Sequence, residues 1–215
     1  MVNEGAYKEI LNFTNAANTT LVAVSKIKPA ADIQKMYDLG QRDFGENYVQ
    51  ELVEKQTQLP ADILWHFIGH LQSNKVKYLA PFVHLIQSVD SEKLLKEVEK
   101  QAVKNNRKIN VLLQVHIAEE QTKFGFDKEE LINLNVELFP NVNITGLMGM
   151  ATFTDDKEKV KREFELLKNL HTQFEKEKNI ELTTLSMGMS DDYELAINCG
   201  SNMIRIGSLL FGRRS

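Results

Sequence analysis

Short apolar runs alternate with longer amphipathic, charged stretches along the chain. The apolar runs begin at eight positions, which are Leu21, Asp43, Ile63, Val83, Asn110, Asn143, Leu182 and Asn202. Strand-like runs that alternate with helical patterns are typical of parallel βαβ units. Eight such units predict an α/β fold, a single (β/α)8 TIM barrel, which usually takes about 250 residues and rarely fewer than about 200. An open doubly wound sheet is the alternative, and the count of eight favours the barrel.

The charged stretches carry the helical signals. Residues 91–106 begin with Ser91 as a suitable N-cap. The apolar positions near one face of this helix are Leu94, Val98 and Val103. Residues 157–179 predict a longer helix, and residues 128–139 a shorter one. The apolar positions of the longer helix are Val160, Phe164, Leu167, Leu170 and Phe174. Residues 3–18 predict one extra helix before the first strand.

Charge and cysteine content narrow the class of protein. The chain has 26 Lys and Arg against 30 Asp and Glu, a formal net charge of −4, which argues against binding nucleic acid or an anionic membrane by bulk electrostatics. The single cysteine, Cys199, allows no intrachain disulfide and indicates a reducing compartment. No stretch approaches the roughly 20 apolar residues of a membrane span, and no linker divides residues 1–215. We therefore expect one cytoplasmic domain.

The run "LVAVSKIKP" from Leu21 ends in Lys26, where a barrel would place its active site. Lysine is almost never fully buried unless it is paired or chemically employed. Partial burial favours the neutral amine, which can attack a carbonyl carbon. The alternatives are a lysine that reaches solvent and a structural ion pair, for which Glu46 is a candidate partner.

The segments after the seventh and eighth runs contain Ser190, Gly207 and Ser208. Barrels often bind phosphate in these two loops. Taken singly, Ser190 would only cap the following helix and the glycine would only make a turn, whereas together they indicate an anion site. Arg205 lies between two isoleucines, so alternation places it on the opposite face from both. There it would face the ring nitrogen of a ligand or form a buried pair with an acid.

His66 and His70 have the spacing of a metal-binding pair but lack the HExxH pattern. A position between a strand and a loop also lacks the helical geometry that such a pair needs. We interpret both histidines as structural and predict no metal site.

Five segments resemble, in order, signatures of the pyridoxal phosphate homeostasis proteins (the YggS/PROSC type). They are "LVAVSKIKP", "DFGENYVQE", "WHFIGHLQSNK", "GLMGMAT" and "LSMGMSDDYELAINCGSNMIRIGSLLFG". The resemblance implies a barrel like the N-terminal domain of alanine racemases, with pyridoxal 5′-phosphate (PLP) as cofactor. The site residues that it implies are Lys26 as the PLP Schiff base, Ser190, Gly207 and Ser208 at the phosphate, Arg205 at the pyridine nitrogen, and Asn47, Met148 and His70 beside the cofactor.

The same residues favour a PLP carrier over an enzyme, with no catalytic residue assigned. An arginine opposite the ring nitrogen disfavours a pyridinium, because one cation repels another. Racemases supply a catalytic tyrosine from a further domain, and we expect no such group here, since the sequence ends at Ser215 soon after the eighth run. We expect a monomer that takes part in PLP homeostasis, with PLP and PLP-dependent apoenzymes as partners. The alternatives are a racemase-like enzyme and a barrel isomerase or lyase acting on a phosphorylated metabolite.

Overall fold

Eight parallel strands pair in sequence order and the last pairs with the first, in a computed structural model that describes residues 2–118 and 124–212. The strands are β1 (Thr20–Val24), β2 (Asp43–Glu46), β3 (Leu64–Phe67), β4 (Leu85–Val89), β5 (Ile109–Gln114), β6 (Val142–Met148), β7 (Thr184–Ser186) and β8 (Met203–Ile206). The closed ring confirms the predicted (β/α)8 barrel and excludes the open doubly wound sheet.

Helices follow the strands around the outside of the barrel. They are α1 (Glu4–Ala16), α2 (Ala30–Asp38), α3 (Val49–Gln58), α4 (Val76–Leu79), α5 (Glu92–Lys104), α6 (Lys128–Asn133), α7 (Lys157–Lys178), α8 (Tyr193–Asn198) and α9 (Ser208–Phe211). The extra N-terminal helix α1 is confirmed, and the Asn3 side chain caps it by accepting from the Ala6 N–H at 3.1 Å. Among the described residues, no helix is long and apolar enough to cross a membrane.

Helix α5 begins where the sequence predicts, but one of its apolar residues faces away from the core. Ser91 is the N-cap and accepts from the Leu94 N–H at 3.3 Å. Leu94 and Val98 are buried, whereas Val103 is 59% exposed. Val103 follows Leu94 by about two and a half helical turns, which places it on the opposite side of the helix. Ala102 takes the buried position in its place.

The other two predicted helices differ in outcome. All five apolar positions predicted for α7 are buried. The helix predicted over residues 128–139 instead ends at Asn133, and a 3-10 turn at Val136–Leu138 follows. Asn135 starts this turn by accepting from the Glu137 N–H at 3.1 Å. Asparagine side chains compete for backbone hydrogen bonds in this way, which favours turns over helix interiors.

The barrel interior is divided between apolar and polar side chains. One large apolar cluster fills the space between the strands and the helices. A second, smaller apolar cluster lies within the ring of strands and consists of Val22, Leu85, Leu112, Met148 and Met203. Buried polar residues on β3, β4, β7 and β8 share this interior. The ring therefore contains enough polar surface to hold a hydrogen-bonded network.

A buried histidine in α7 makes stability dependent on pH. His171 is 6% exposed, and its Nε2 atom has no hydrogen-bond partner among the described residues. The ring also makes a hydrogen bond with the backbone of Thr184. Burial lowers the pKa of His171, and the charge of Lys168 lowers it further. The unfolded chain, in which histidine titrates near about 6.5, therefore binds the proton more readily than the folded protein does.

We expect the free energy of unfolding to fall as the pH drops below about 6.5, by at most about 1.4 kcal/mol per pH unit for this group. Urea unfolding at several pH values would measure the slope. His171→Gln should flatten it, because glutamine does not titrate but can still donate toward Thr184. An unchanged slope in the variant would contradict the assignment.

Candidate functional site

Lys26 lies in the turn that follows β1, at the carboxyl edge of the barrel, and is half-buried. The next residue, Ile27, has a φ of 64°, in the left-handed region that β-branched residues rarely adopt. Such a conformation costs about 1–3 kcal/mol and persists only where surrounding contacts impose it. The turn is therefore held in shape by its neighbours.

Four residues beneath the turn form a hydrogen-bonded set that we call the clamp (Ser25, Glu46, Glu51 and Lys55). The Ser25 hydroxyl donates to Oε1 of Glu46 at 2.6 Å. Lys55 Nζ donates to the Ser25 carbonyl at 2.8 Å, to Glu46 Oε1 at 2.7 Å and to Glu51 Oε1 at 2.6 Å. Glu51 Oε1 also accepts from the Ile27 N–H at 2.6 Å. The clamp thus fixes the backbone on both sides of Lys26.

Glu46 makes its buried ion pair with Lys55 in α3, a partner that the sequence did not indicate. Glu46 is fully buried and Lys55 is 6% exposed. Burial raises the pKa of Glu46, and the Lys55 charge opposes that rise. The other carboxyl oxygen, Oε2, is buried without a hydrogen-bond partner among the described residues. The spacing of Glu51 and Lys55 was visible as a helical ion pair, but its burial was not.

Arg205 points into the barrel from β8 and is 4% exposed. Its Nη1 donates to the Ser186 hydroxyl at 2.5 Å and its Nη2 to the Gly149 carbonyl at 3.0 Å. Burial lowers the pKa of Arg205 to about 10, and the nearby Asp192 charge opposes this. The guanidinium therefore remains a cation at neutral pH. Alternation along β8 predicts that Arg205 lies on the face opposite both neighbouring isoleucines, and the structure places its side chain in the barrel interior.

The loop after β7 lies against β8, because the Arg205 N–H donates to the Gly188 carbonyl at 3.0 Å. Ser190 is half-buried in the first loop and Ser208 is exposed at the start of α9. The helix cap predicted for Ser190 is wrong, since Asp192 occupies the N-cap position of α8. Asp192 stands directly before the helix, but its carboxylate accepts from the Met189 N–H at 2.6 Å and makes no cap hydrogen bond within the described residues.

Gly207 brings the second of these loops close to β1. A Cβ atom at this position would lie 3.3 Å from the Val24 Cβ and 3.4 Å from the Val24 carbonyl oxygen. A side chain there would therefore be tight against Val24, which would have to shift by a few tenths of an ångström. The glycine allows the two ends of the chain to meet at the same rim.

Asn47 and His70 occupy the same rim after β2 and β3. Asn47 Oδ1 is buried with no hydrogen-bond partner in the described part of the chain. A Cβ at Gly69 would overlap the Asn47 carbonyl oxygen, so the two loops touch through their backbones. His70 is bonded to Asp90 through Nδ1 at 3.0 Å and stacks on Phe124 with ring centroids 3.8 Å apart. His70 thus has structural partners, whereas the Asn47 oxygen is available to a ligand.

Met148 lies deeper than the other candidates. It ends β6, is fully buried and belongs to the small apolar cluster inside the ring. It forms part of the floor beneath the rim. Across residues 2–118 and 124–212, no group of three or more His, Cys, Asp or Glu could hold a metal ion.

The fold and rim define a class of protein. The family model described as "Alanine racemase, N-terminal domain" matches residues 6–215. Curated relatives narrow the class further. The chain is 43% identical over 198 residues to the pyridoxal phosphate homeostasis protein of Aquifex aeolicus, covering 90% of this chain and 86% of the relative. It is 39% identical over 218 residues to that of Synechocystis, covering 100% of both. The chain belongs to the pyridoxal phosphate homeostasis protein family, which confirms the resemblance drawn from its sequence.

A solved structure agrees with this assignment. PipY of Synechococcus elongatus, determined with PLP bound, is 37% identical and superposes with a TM-score of 0.84. The match covers 91% of this chain and 93% of PipY. The named relatives are homeostasis proteins, in keeping with the expected non-catalytic role.

Proposed function

We propose that the protein binds PLP reversibly at the rim of the barrel and that Lys26 is the amine that carries it. The observation that carries this proposal is the convergence of three features at one rim: the fixed turn of Lys26, the buried cation of Arg205, and the loop after β7 that is hydrogen-bonded to β8. The PLP-bound relative PipY supports the choice of ligand.

The residues of the rim fit PLP. When bound, PLP supplies an aldehyde that reacts with a primary amine. Lys26 is the amine placed at the end of β1, half-buried at the carboxyl edge of the barrel. Asn47 offers a buried oxygen that still lacks a hydrogen-bond partner among the described residues. The Gly207 backbone leaves open the space that a Cβ would fill.

The remaining assignments follow from position and charge. Ser190, Gly207 and Ser208 would hold the phosphate with hydroxyl and backbone N–H groups. Arg205 would face the ring nitrogen, where its positive charge disfavours protonation of that nitrogen. PLP enzymes commonly place an acid there to make the ring a strong electron sink. A cationic partner therefore suits retention of PLP better than catalysis. Met148 would support the ring from below, and His70 would bound the rim through its pair with Asp90.

The cellular role that we propose is PLP homeostasis, in which the protein holds the reactive aldehyde and passes it to PLP-dependent apoenzymes. We further propose that residues 1–215 act as one monomeric PLP-binding domain. The single cysteine, half-buried Cys199, supports a reducing compartment such as the cytoplasm.

Titration of the wild-type protein with PLP, followed by borohydride reduction and peptide mapping, would test the site. We expect a yellow absorption band and a reduced adduct on the peptide that contains Lys26. An adduct confined to other lysines would overturn the assignment. A protein that stays colourless and ignores PLP would favour the phosphorylated-metabolite reaction instead.

Two further measurements separate the carrier from an enzyme. Mixing the PLP-loaded protein with an apoenzyme should restore the activity of that apoenzyme. Incubation with L-amino acids in deuterated water should give no exchange of the α-proton at enzymatic rates. Rapid exchange that depends on Lys26 would favour the racemase-like enzyme.

A further inference from the structure

A chain of polar side chains crosses the interior of the barrel from β2 to β8. We call it the interior chain (Asp43, His66, Gln87, Ser186 and Arg205). His66, Gln87 and Ser186 are fully buried, and Asp43 keeps 23% of its side chain exposed. The consecutive contacts measure 2.9 Å between Asp43 and His66, 3.0 Å between His66 and Gln87, 2.7 Å between Gln87 and Ser186, and 2.5 Å between Ser186 and Arg205.

With the Gln87 amide oriented as in the structure, the donors in this chain all point in one direction. Arginine only donates, so the Ser186 oxygen accepts from Arg205 Nη1. The Ser186 hydroxyl then donates to Gln87 Oε1. The Gln87 amide therefore presents its Nε2 hydrogens toward His66.

The same logic fixes the tautomer of His66. Its Nδ1 atom, which faces Gln87 Nε2, must be the acceptor. The ring hydrogen then lies on Nε2, which donates to the Asp43 carboxylate. All donors thus point from Arg205 toward Asp43, and a neutral His66 is required to maintain that order.

The surroundings make this order important. The interior chain lies beside the apolar cluster within the ring, and Gln87 Nε2 also contacts Met203 Sδ at 3.2 Å. Hydrogen bonds are stronger in such surroundings, and a polar group that loses its partner is costly. In the described part of the chain, the Arg205 guanidinium donates to Ser186 and to the Gly149 carbonyl. The orientation of the guanidinium therefore depends on the hydroxyl of Ser186.

We propose that Ser186 and Gln87 are positioning residues of the PLP site, which hold the Arg205 guanidinium in the orientation that faces the ring nitrogen. This inference rests on the proposed function of Arg205. Neither residue needs to touch the ligand. Each acts by completing the hydrogen bonds that keep the guanidinium in place.

The test uses PLP labelled with nitrogen-15 in the ring, bound to wild type and Ser186→Ala. We expect the ring-nitrogen resonance to shift in the variant, and the dissociation constant for PLP to rise about tenfold through the loss of a charged hydrogen bond. Ser186→Thr keeps the hydroxyl and should restore both values. Gln87→Leu should produce the same change in the ring-nitrogen resonance as Ser186→Ala.

Ser201→Ala is the matched control. Ser201 is also buried, and its hydroxyl bonds to backbone carbonyls of Leu185, Met187 and Met203. It should lose stability without shifting the ring-nitrogen resonance. An unchanged resonance and affinity in Ser186→Ala would overturn the inference, whereas wild-type protein that binds no PLP would overturn the proposed function itself.

A measurement on the wild type keeps the inference testable if the variants do not fold. Nitrogen-15 spectra of the histidine rings should show His66 with hydrogen on Nε2 and none on Nδ1. Hydrogen on Nδ1 would contradict the order of donors on which the inference depends.

Discussion

Lys26→Ala is expected to abolish the yellow absorption band of the PLP-treated protein and the borohydride-stable adduct, while the barrel stays folded. The half-buried lysine stands in a turn that the clamp fixes, and the two nearby amines are engaged elsewhere, Lys55 within the clamp and Lys28 with the Phe211 carbonyl. Alanine removes the amine but leaves Arg205 and the loops after β7 and β8 in place. Absorbance spectra and the mass of the intact, reduced protein would measure the loss, which should be complete.

Lys28→Ala is the matched control for this change. Lys28 lies two residues further along the same turn, and its Nζ donates to the Phe211 carbonyl at 2.9 Å. The control should retain the band and the adduct. A normal adduct in Lys26→Ala would show that another lysine carries PLP and that the proposed attachment is wrong.

Lys55→Met is expected to cost about 3–5 kcal/mol of stability at neutral pH, because it leaves the fully buried Glu46 without its counter-ion. Methionine fills a similar volume, so the lost charge is the main change. Removal of Lys55 also removes the influence that opposes the raised pKa of Glu46. The folded variant then binds a proton more readily than the unfolded chain, so its stability should recover as the pH falls.

Two variants distinguish this explanation from a general effect of losing a lysine. Glu46→Gln combined with Lys55→Met should recover most of the loss, because no buried charge remains. Lys96→Met removes an exposed partner of Glu92, with 63% and 46% of the two side chains exposed, and should cost less than about 1 kcal/mol. Urea unfolding of each protein would provide the values. A loss in Lys55→Met no larger than that in Lys96→Met would refute the role of the clamp.

The sequence predicted the elements of the barrel well because each strand is marked by a compact apolar run. The first run begins at Leu21 and β1 at Thr20; the fourth begins at Val83 and β4 at Leu85. Placement of Lys26 followed from the same pattern, since a barrel puts strand ends at one rim. The side of a helix that faces the core was harder to predict, because apolar spacing alone does not determine it. Val103 was predicted on the core side of α5 but is exposed.

The polar partners inside the barrel were not predictable, because they depend on which strands and helices meet after closure. In the sequence, Lys55 resembles an exposed helical lysine such as Lys96, yet it is buried. Gln87 and Ser186 interrupt apolar strands at positions that could equally face solvent. Their contact joins residues 99 positions apart in the chain. Only the closed ring brings them together.

The proposed PLP site depends on complete folding of the barrel, because β1 pairs with β8. Val22 lies in register with Arg205, and Gly207 lies against Val24. Lys28 and Phe211, which bond across the same seam, are separated by 183 residues. A ligand attached to β1 and held by β8 would join the first strand to the last. Its binding energy would therefore favour the closed ring over any state in which one of these strands has detached. Retention of the ligand would report that the whole barrel is assembled.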